Sequence, residues 1–66
     1  MRVRCKVLEA IGYSHAGHIY RCTVLEGRQK GYSYQVAVDA PLFVYEVYDL
    51  EVGREVKRGA YSARVL

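Results

Sequence analysis

The chain has 66 residues, of which 52% are hydrophobic and 26% charged, with a formal net charge of +3. A chain of this size forms one domain with a small core, which oligomerisation, a metal or disulfides often supplement. No apolar run approaches the ~18 residues of a membrane span, and the first residues lack the pattern of a signal peptide. We therefore expect one domain, residues 1–66, in the cytoplasm (the host cytoplasm if the protein is viral), with no membrane partner.

Two seven-residue stretches nearly repeat: RCKVLEA at residues 4–10 and RCTVLEG at residues 21–27. Apolar and polar residues alternate around both, which is typical of strands with one buried face. Folding the chain as a hairpin about Tyr13–Ser14 places Cys5 opposite Cys22, and every inward residue then meets an inward residue. The repeat thus predicts the two arms of one hairpin. Chance repetition of a short stretch is the alternative.

The middle of the chain also has the pattern of strands. Residues 31–41, GYSYQVAVDAP, alternate in polarity and end in a turn at the proline. Residues 42–52, LFVYEVYDLEV, are β-branched and aromatic and are apolar on both faces, which favours a strand that is central or covered by a partner. A helix capped by Asp39 is the alternative for this segment.

The last part of the chain predicts a loop and a fifth strand. Gly53 and Gly59 bracket the expected loop GREVKRG, and AYSARVL follows with Tyr61, Ala63 and Val65 facing inward. Five short strands without a clear helix predict an all-β fold. We expect a small five-stranded antiparallel barrel of the OB-like or SH3-like kind.

The sequence contains few residues at the spacing that catalysis or metal binding requires. Two cysteines and two histidines suggest zinc, but Cys5 lies about 30 Å from His15 along an extended strand, whereas zinc ligands lie within ~2.3 Å of the ion. We expect reduced cysteines in the core, no metal and no cofactor. Phosphate-binding loops, nucleophile elbows and paired catalytic carboxylates are absent from the sequence. We expect the protein not to be an enzyme.

Basic residues interleaved with tyrosines are the remaining signal. Cations follow the phosphates of a single strand while aromatic rings stack on its bases at ~1–3 kcal/mol each. We therefore expect single-stranded nucleic acid, DNA in the first instance, bound without sequence specificity. Tyr32 is expected to be exposed, whereas Tyr34 either belongs to the core or stacks on bases. The candidate nucleic-acid-binding residues are Arg4, Lys6 and Arg21 on the outer face of the hairpin, with Arg28, Lys30, Tyr32 and Tyr34 farther along the chain.

RQKGYSY at residues 28–34, followed by GREVKRGAYSARV at residues 53–65, resembles the small helix-destabilising proteins of filamentous phages. Those proteins carry an Arg- and Lys-rich wing that enters a Tyr-Ser strand, and a late Gly-x-Tyr strand after a glycine-containing turn. The family forms a five-stranded, OB-like barrel that dimerises and coats single-stranded DNA. The resemblance spans residues 28–65 with gaps, and it implies DNA contacts for Arg28, Lys30, Tyr32 and Tyr34.

A second stretch is similar to a strand and turn of the carbon-storage-regulator RNA-binding proteins. It consists of VAVDAP at residues 36–41 with Val44 after it. The basic residue that follows in that family is absent from this chain.

The segment Leu42–Val52, rich in tyrosine and acidic residues, supports a competing class of function. If this segment binds a host protein, the chain is a small viral or plasmid-encoded inhibitor of that protein. A small barrel can cover only one face of this segment, so we also expect a homodimer that buries the other face.

Overall fold

A computed structural model describes all 66 residues of the chain. The fold contains strands and turns but no helix, because alternating apolar side chains bury one face of each strand. The five strands are β1 (Arg2–Ser14), β2 (Gly17–Val24), β3 (Ser33–Val38), β4 (Val47–Lys57) and β5 (Ala60–Val65).

The strands close into a barrel in the order β1-β2-β3-β5-β4, and β4 pairs with β1 to complete it. The predicted all-β, five-stranded barrel is confirmed, and it is consistent with a small OB-like or SH3-like fold. The barrel is mixed rather than wholly antiparallel, because β3 and β5 pair in parallel while the other neighbours are antiparallel. Closure pairs every strand on both sides, so no strand is left at an edge.

The first hairpin has the predicted faces in a different register. Cys5 lies opposite Val24, and the expectation that it lies opposite Cys22 is wrong. The turn is at His15–Ala16 rather than at Tyr13–Ser14, and two irregularities in the β1–β2 pairing absorb the difference. At Cys5 and Val7 the inward residues still meet inward residues, because the register there differs by two, which is the period of side-chain alternation. Beyond the irregularities this match is lost, and exposed Ala10 lies opposite buried Tyr20.

The predicted strand over Leu42–Val52 begins too early. β4 starts at Val47, and the preceding residues form a loop and a turn, not a helix. The backbone N–H of Leu42 donates to the hydroxyl of Tyr20 at 2.9 Å, which draws this segment over the barrel instead of into a ladder. Leu42 itself is buried in the core.

The predicted loop between Gly53 and Gly59 is also wrong. β4 continues to Lys57, and only Arg58 and Gly59 turn the chain into β5. Gly59 has a φ of 79°, a conformation that glycine adopts at little cost. β4 and β5 thus form a tight hairpin whose tip lies beside β3, since the N–H of Gln35 donates to the carbonyl of Gly59 at 3.1 Å.

The core fills the inside of the barrel with small and medium side chains. Burying a valine or leucine contributes roughly 1.5–3 kcal/mol, so the core supplies most of the stability of so short a chain. Both cysteines are free thiols and fully buried. A hydrogen bond with Cys5, together with burial, raises the pKa of the Cys22 thiol. The core consists of Val3, Cys5, Val7, Tyr20, Cys22, Val24, Val36, Val38, Leu42, Leu50 and Val52.

Candidate nucleic-acid interface

An open groove of about 560 Å³ runs over β2, β3 and the tip of the β4–β5 hairpin. The parallel pairing of β3 with β5 creates it, because this pairing sets Val36 against Tyr61 and brings β5 beside the strand that carries Tyr34. We call this surface the tyrosine groove. Its lining residues are Arg21, Tyr32, Ser33, Tyr34, Gln35, Gly59 and Tyr61.

The three tyrosines of the groove differ in how firmly they are held. Tyr34 and Tyr61 pack against the core, and their rings meet edge to face with centroids 5.4 Å apart. Burial is the main cause that raises the pKa of the Tyr34 phenol. Tyr32 precedes β3 and is 61% exposed, in line with its predicted exposure. Tyr34 is half-buried, packs against the core and also lines the groove, and its stacking on bases stays a prediction.

Two of the predicted cations on the first hairpin are held by carboxylates. Arg4 Nε donates to Asp49 Oδ1 at 2.9 Å, and its guanidinium also lies 3.9 Å from Glu26. The Arg4 guanidinium beside Asp49 lowers the pKa of that carboxyl below its ordinary value. Arg21 makes a hydrogen-bonded ion pair with Glu9. These arginines are therefore largely neutralised on the barrel surface.

Lys6, the third predicted cation of the hairpin, lies elsewhere. Its ammonium sits 5.9 Å from the centroid of the Tyr45 ring, and it does not line the tyrosine groove. The structure thus brings Arg21, Tyr32 and Tyr34 together and separates Lys6 from them.

Arg28 and Lys30 lie in the loop between β2 and β3, and neither makes an ion pair. Backbone hydrogen bonds hold this loop: the N–H of Gly31 donates to Val24 at 2.8 Å and that of Tyr32 donates to Gln29 at 2.9 Å. The two cations are therefore carried on an ordered loop that leads directly into the tyrosine groove.

Lys57 and Arg58, at the tip of the β4–β5 hairpin, are likewise free of ion pairs. They immediately precede Gly59, which lines the groove. Cations without ion pairs therefore flank the groove at the β2–β3 loop and at this tip, where the carboxylate of Glu55 accepts a hydrogen bond from the N–H of Gly59 at 2.9 Å. Tyr61 and the cations at the tip are the residues of the site that strand patterns did not single out. Only the parallel β3–β5 pairing, between segments distant in sequence, reveals them.

A second exposed surface lies in the turn before β4. The N–H of Glu46 donates to the carbonyl of Phe43 at 3.3 Å, and Tyr45 has a φ of 73°, the only positive φ outside glycine. A four-residue turn whose third residue has a positive φ favours glycine at that residue, so the backbone of Tyr45 is strained. Phe43 and Tyr45 are 76% and 70% exposed, and Val44 and Val47 are exposed beside them. We call Phe43–Val47 the aromatic turn.

The remaining features add little to the site. No group of three or more His, Cys, Asp and Glu side chains is placed to hold a metal ion. The protein has no helix of the length and apolarity needed to cross a membrane. No protein-family model, curated protein or solved structure matches the chain. The resemblance to the phage helix-destabilising proteins therefore stays a prediction.

Proposed function

We propose that this protein binds single-stranded nucleic acid in the tyrosine groove and performs no chemistry on it. The observation that carries the proposal is the coincidence of three tyrosines with two sets of cations that lack acidic partners. Rings of this kind stack on bases at ~1–3 kcal/mol each, and free cations take up phosphates.

The position of the groove in the fold supports the same function. OB-like barrels bind oligonucleotides on the face of their second and third strands and with the loops between strands 1 and 2 and between strands 4 and 5. The tyrosine groove takes Arg21 from β2, Ser33 to Gln35 from β3 and Gly59 from the turn between β4 and β5. The candidate residues Arg28 and Lys30 would contact phosphates, whereas Arg4 and Lys6 lie outside this groove.

A salt series with an unstructured oligonucleotide tests the proposal. Fluorescence anisotropy of labelled oligo-dT is expected to show binding whose affinity falls with salt. The log–log slope approaches about −2.8 if Arg28, Lys30, Lys57 and Arg58 each contact one phosphate, at ~0.7 per contact. Absence of salt-sensitive binding even at about 50 mM salt would contradict the proposal.

The aromatic turn favours the second candidate function, a protein-binding inhibitor. Phe43 and Tyr45 are large and exposed, and aromatic residues are enriched at the centre of protein interfaces. The same surface would serve the expected homodimer. Sedimentation distinguishes self-association from binding to another protein. If the wild type is a dimer and Phe43→Ser is a monomer, the turn is the dimer interface. If the wild type is a monomer, the turn is a candidate surface for another protein.

A further inference from the structure

A second, smaller cavity lies next to the tyrosine groove. Its volume is about 320 Å³, and its walls include the three tyrosines of the groove together with Gln29, Val52 and Gly53. Because the same tyrosine side chains border both spaces, the cavity adjoins the groove at these rings. We call it the barrel-end cavity. Its size is at the lower end of ~300–1,000 Å³, the range of small-molecule sites, so it suits one small planar group.

Two polar atoms of the residues that line this cavity are buried without a hydrogen-bond partner. They are Gln29 Oε1 and Tyr34 Oη, and no other buried side-chain nitrogen or oxygen of the chain is unsatisfied. Native proteins satisfy the large majority of such atoms, so each exception calls for an explanation. Both exceptions belong to residues that line one cavity, which points to this cavity as a binding site.

The two unsatisfied atoms have complementary hydrogen-bonding capacity. Gln29 buries its amide oxygen, which accepts a hydrogen bond, and the hydroxyl of Tyr34, which can donate or accept, supplies the donor of the pair. Burial raises the pKa of the Tyr34 phenol, so the hydroxyl keeps its proton at neutral pH. The pair therefore matches a ligand that presents one donor beside one acceptor.

Adenine and cytosine present that pattern, with an exocyclic amino group next to an unprotonated ring nitrogen. Guanine and thymine present the opposite pattern on their Watson–Crick edges, with a carbonyl oxygen in place of the amino group and a protonated ring nitrogen beside it. We propose that the barrel-end cavity holds one adenine or cytosine base of the bound strand and that Gln29 and Tyr34 recognise it. This inference rests on the proposed function and adds a base preference to it.

Entry of a base requires one side chain to move, since both polar atoms are closed to solvent. Tyr32 is 61% exposed and borders both the groove and the cavity. Its ring can turn aside without giving up core packing, whereas Tyr34 and Tyr61 are held against the core. The ring of Tyr61 then offers a fixed aromatic surface to the base.

The test compares four labelled oligonucleotides of eleven thymidines whose central base is replaced by adenine, cytosine or guanine or left as thymine. Affinities are measured by anisotropy at one salt concentration. The adenine and cytosine oligonucleotides are expected to bind about 5-fold tighter or more, because a good pair of base contacts discriminates by roughly 5- to 150-fold. Equal affinities, or tighter binding of guanine or thymine, would overturn the inference.

Two variants assign the preference to these residues. Gln29→Leu removes the acceptor at similar volume, and Tyr34→Phe removes only the hydroxyl. Each is expected to reduce the ratio of affinities between the cytosine and thymine oligonucleotides toward one. Each is also expected to melt at the same temperature as the wild type or higher, because it removes a buried polar atom that has no partner. A ratio that persists in both variants contradicts the inference.

The outcomes separate the two proposals. If no oligonucleotide binds the wild type, the proposed function fails and the inference fails with it. If all four bind with the same affinity, the proposed function stands and the base preference is wrong.

Discussion

The outer face of the first hairpin and the tyrosine groove carry similar cations and differ in their ionic partners. On the hairpin, Arg4 is held by Asp49 from β4, and Arg21, which also lines the groove, is held by Glu9 from β1. Beside the groove, Arg28 and Lys30 have no carboxylate within ion-pair distance. The comparison teaches that a count of basic residues does not locate a binding surface, because acidic residues of other strands cancel some of them.

The two surfaces also differ in how their aromatic side chains are arranged. The groove gathers three tyrosines around one open space, whereas the ammonium of Lys6 lies over the ring of Tyr45. A cation engaged with a ring of its own chain is less available to a phosphate. The two surfaces are therefore expected to respond differently to substitution.

The largest difference in oligonucleotide affinity is expected between alanine variants of two tyrosines, one at the groove and one outside it. Tyr32→Ala should weaken oligonucleotide binding by roughly 5- to 150-fold, since a stacked base contributes ~1–3 kcal/mol. Tyr13→Ala is the matched control, because Tyr13 is 75% exposed and lies beside the β1–β2 turn, outside the groove. Anisotropy titrations at one salt concentration measure both. Equal losses in the two variants would remove the distinction between the surfaces.

The next largest difference is expected in the salt dependence of binding, which reports the number of cations that contact phosphates. Arg28→Ala or Lys30→Ala is expected to reduce the magnitude of the log–log salt slope by ~0.7, the value of one phosphate contact on a single strand. The control is the double variant Arg4→Ala with Asp49→Ala, which deletes an ion pair and conserves net charge. Its slope should equal that of the wild type. A reduced slope in the double variant would move the site to the hairpin face.

A smaller effect is expected at the aromatic turn. Tyr45→Gly and Tyr45→Ala both remove the ring that Lys6 covers, but only glycine tolerates the φ of 73° without strain. The glycine variant should be more stable than the alanine variant by about 1 kcal/mol. Chemical denaturation of both variants measures this difference. Equal stabilities would mean that the turn relaxes and is not held rigidly beside the hairpin face.

The smallest effect is expected from pH. Arg4 lowers the pKa of Asp49, so the carboxylate stabilises the folded state above its unfolded pKa, and this contribution is lost as the pH falls through the folded pKa. Asp49→Asn should therefore flatten the decrease of melting temperature below about pH 4. Asp39→Asn, at an exposed carboxyl without an ion pair, is the control. Identical acid profiles for Asp49→Asn and the wild type would contradict a lasting ion pair on the hairpin face.

Local pattern was sufficient to predict the number of strands and the fold class. Alternation of apolar and polar residues depends only on neighbours in the chain, so the inward faces of β1 and β2 could be predicted even though their register could not. The burial of both cysteines follows from the same alternation, whereas the exposure of Tyr32 was predicted from its place next to the loop. The start of β4 could not be predicted, because the segment before it is held by a hydrogen bond from Leu42 to Tyr20, which joins residues distant in sequence.

The tertiary structure alone decided which surface is available for binding. Asp49 and Glu9 neutralise two predicted site residues through contacts between strands, and such contacts leave no periodic signal. The parallel pairing of β3 with β5 likewise brought Tyr61 into a groove with Tyr32 and Tyr34. A sequence records which face of its own strand a side chain occupies, whereas its neighbours across the barrel depend on strand order and register, which are set only when the barrel closes.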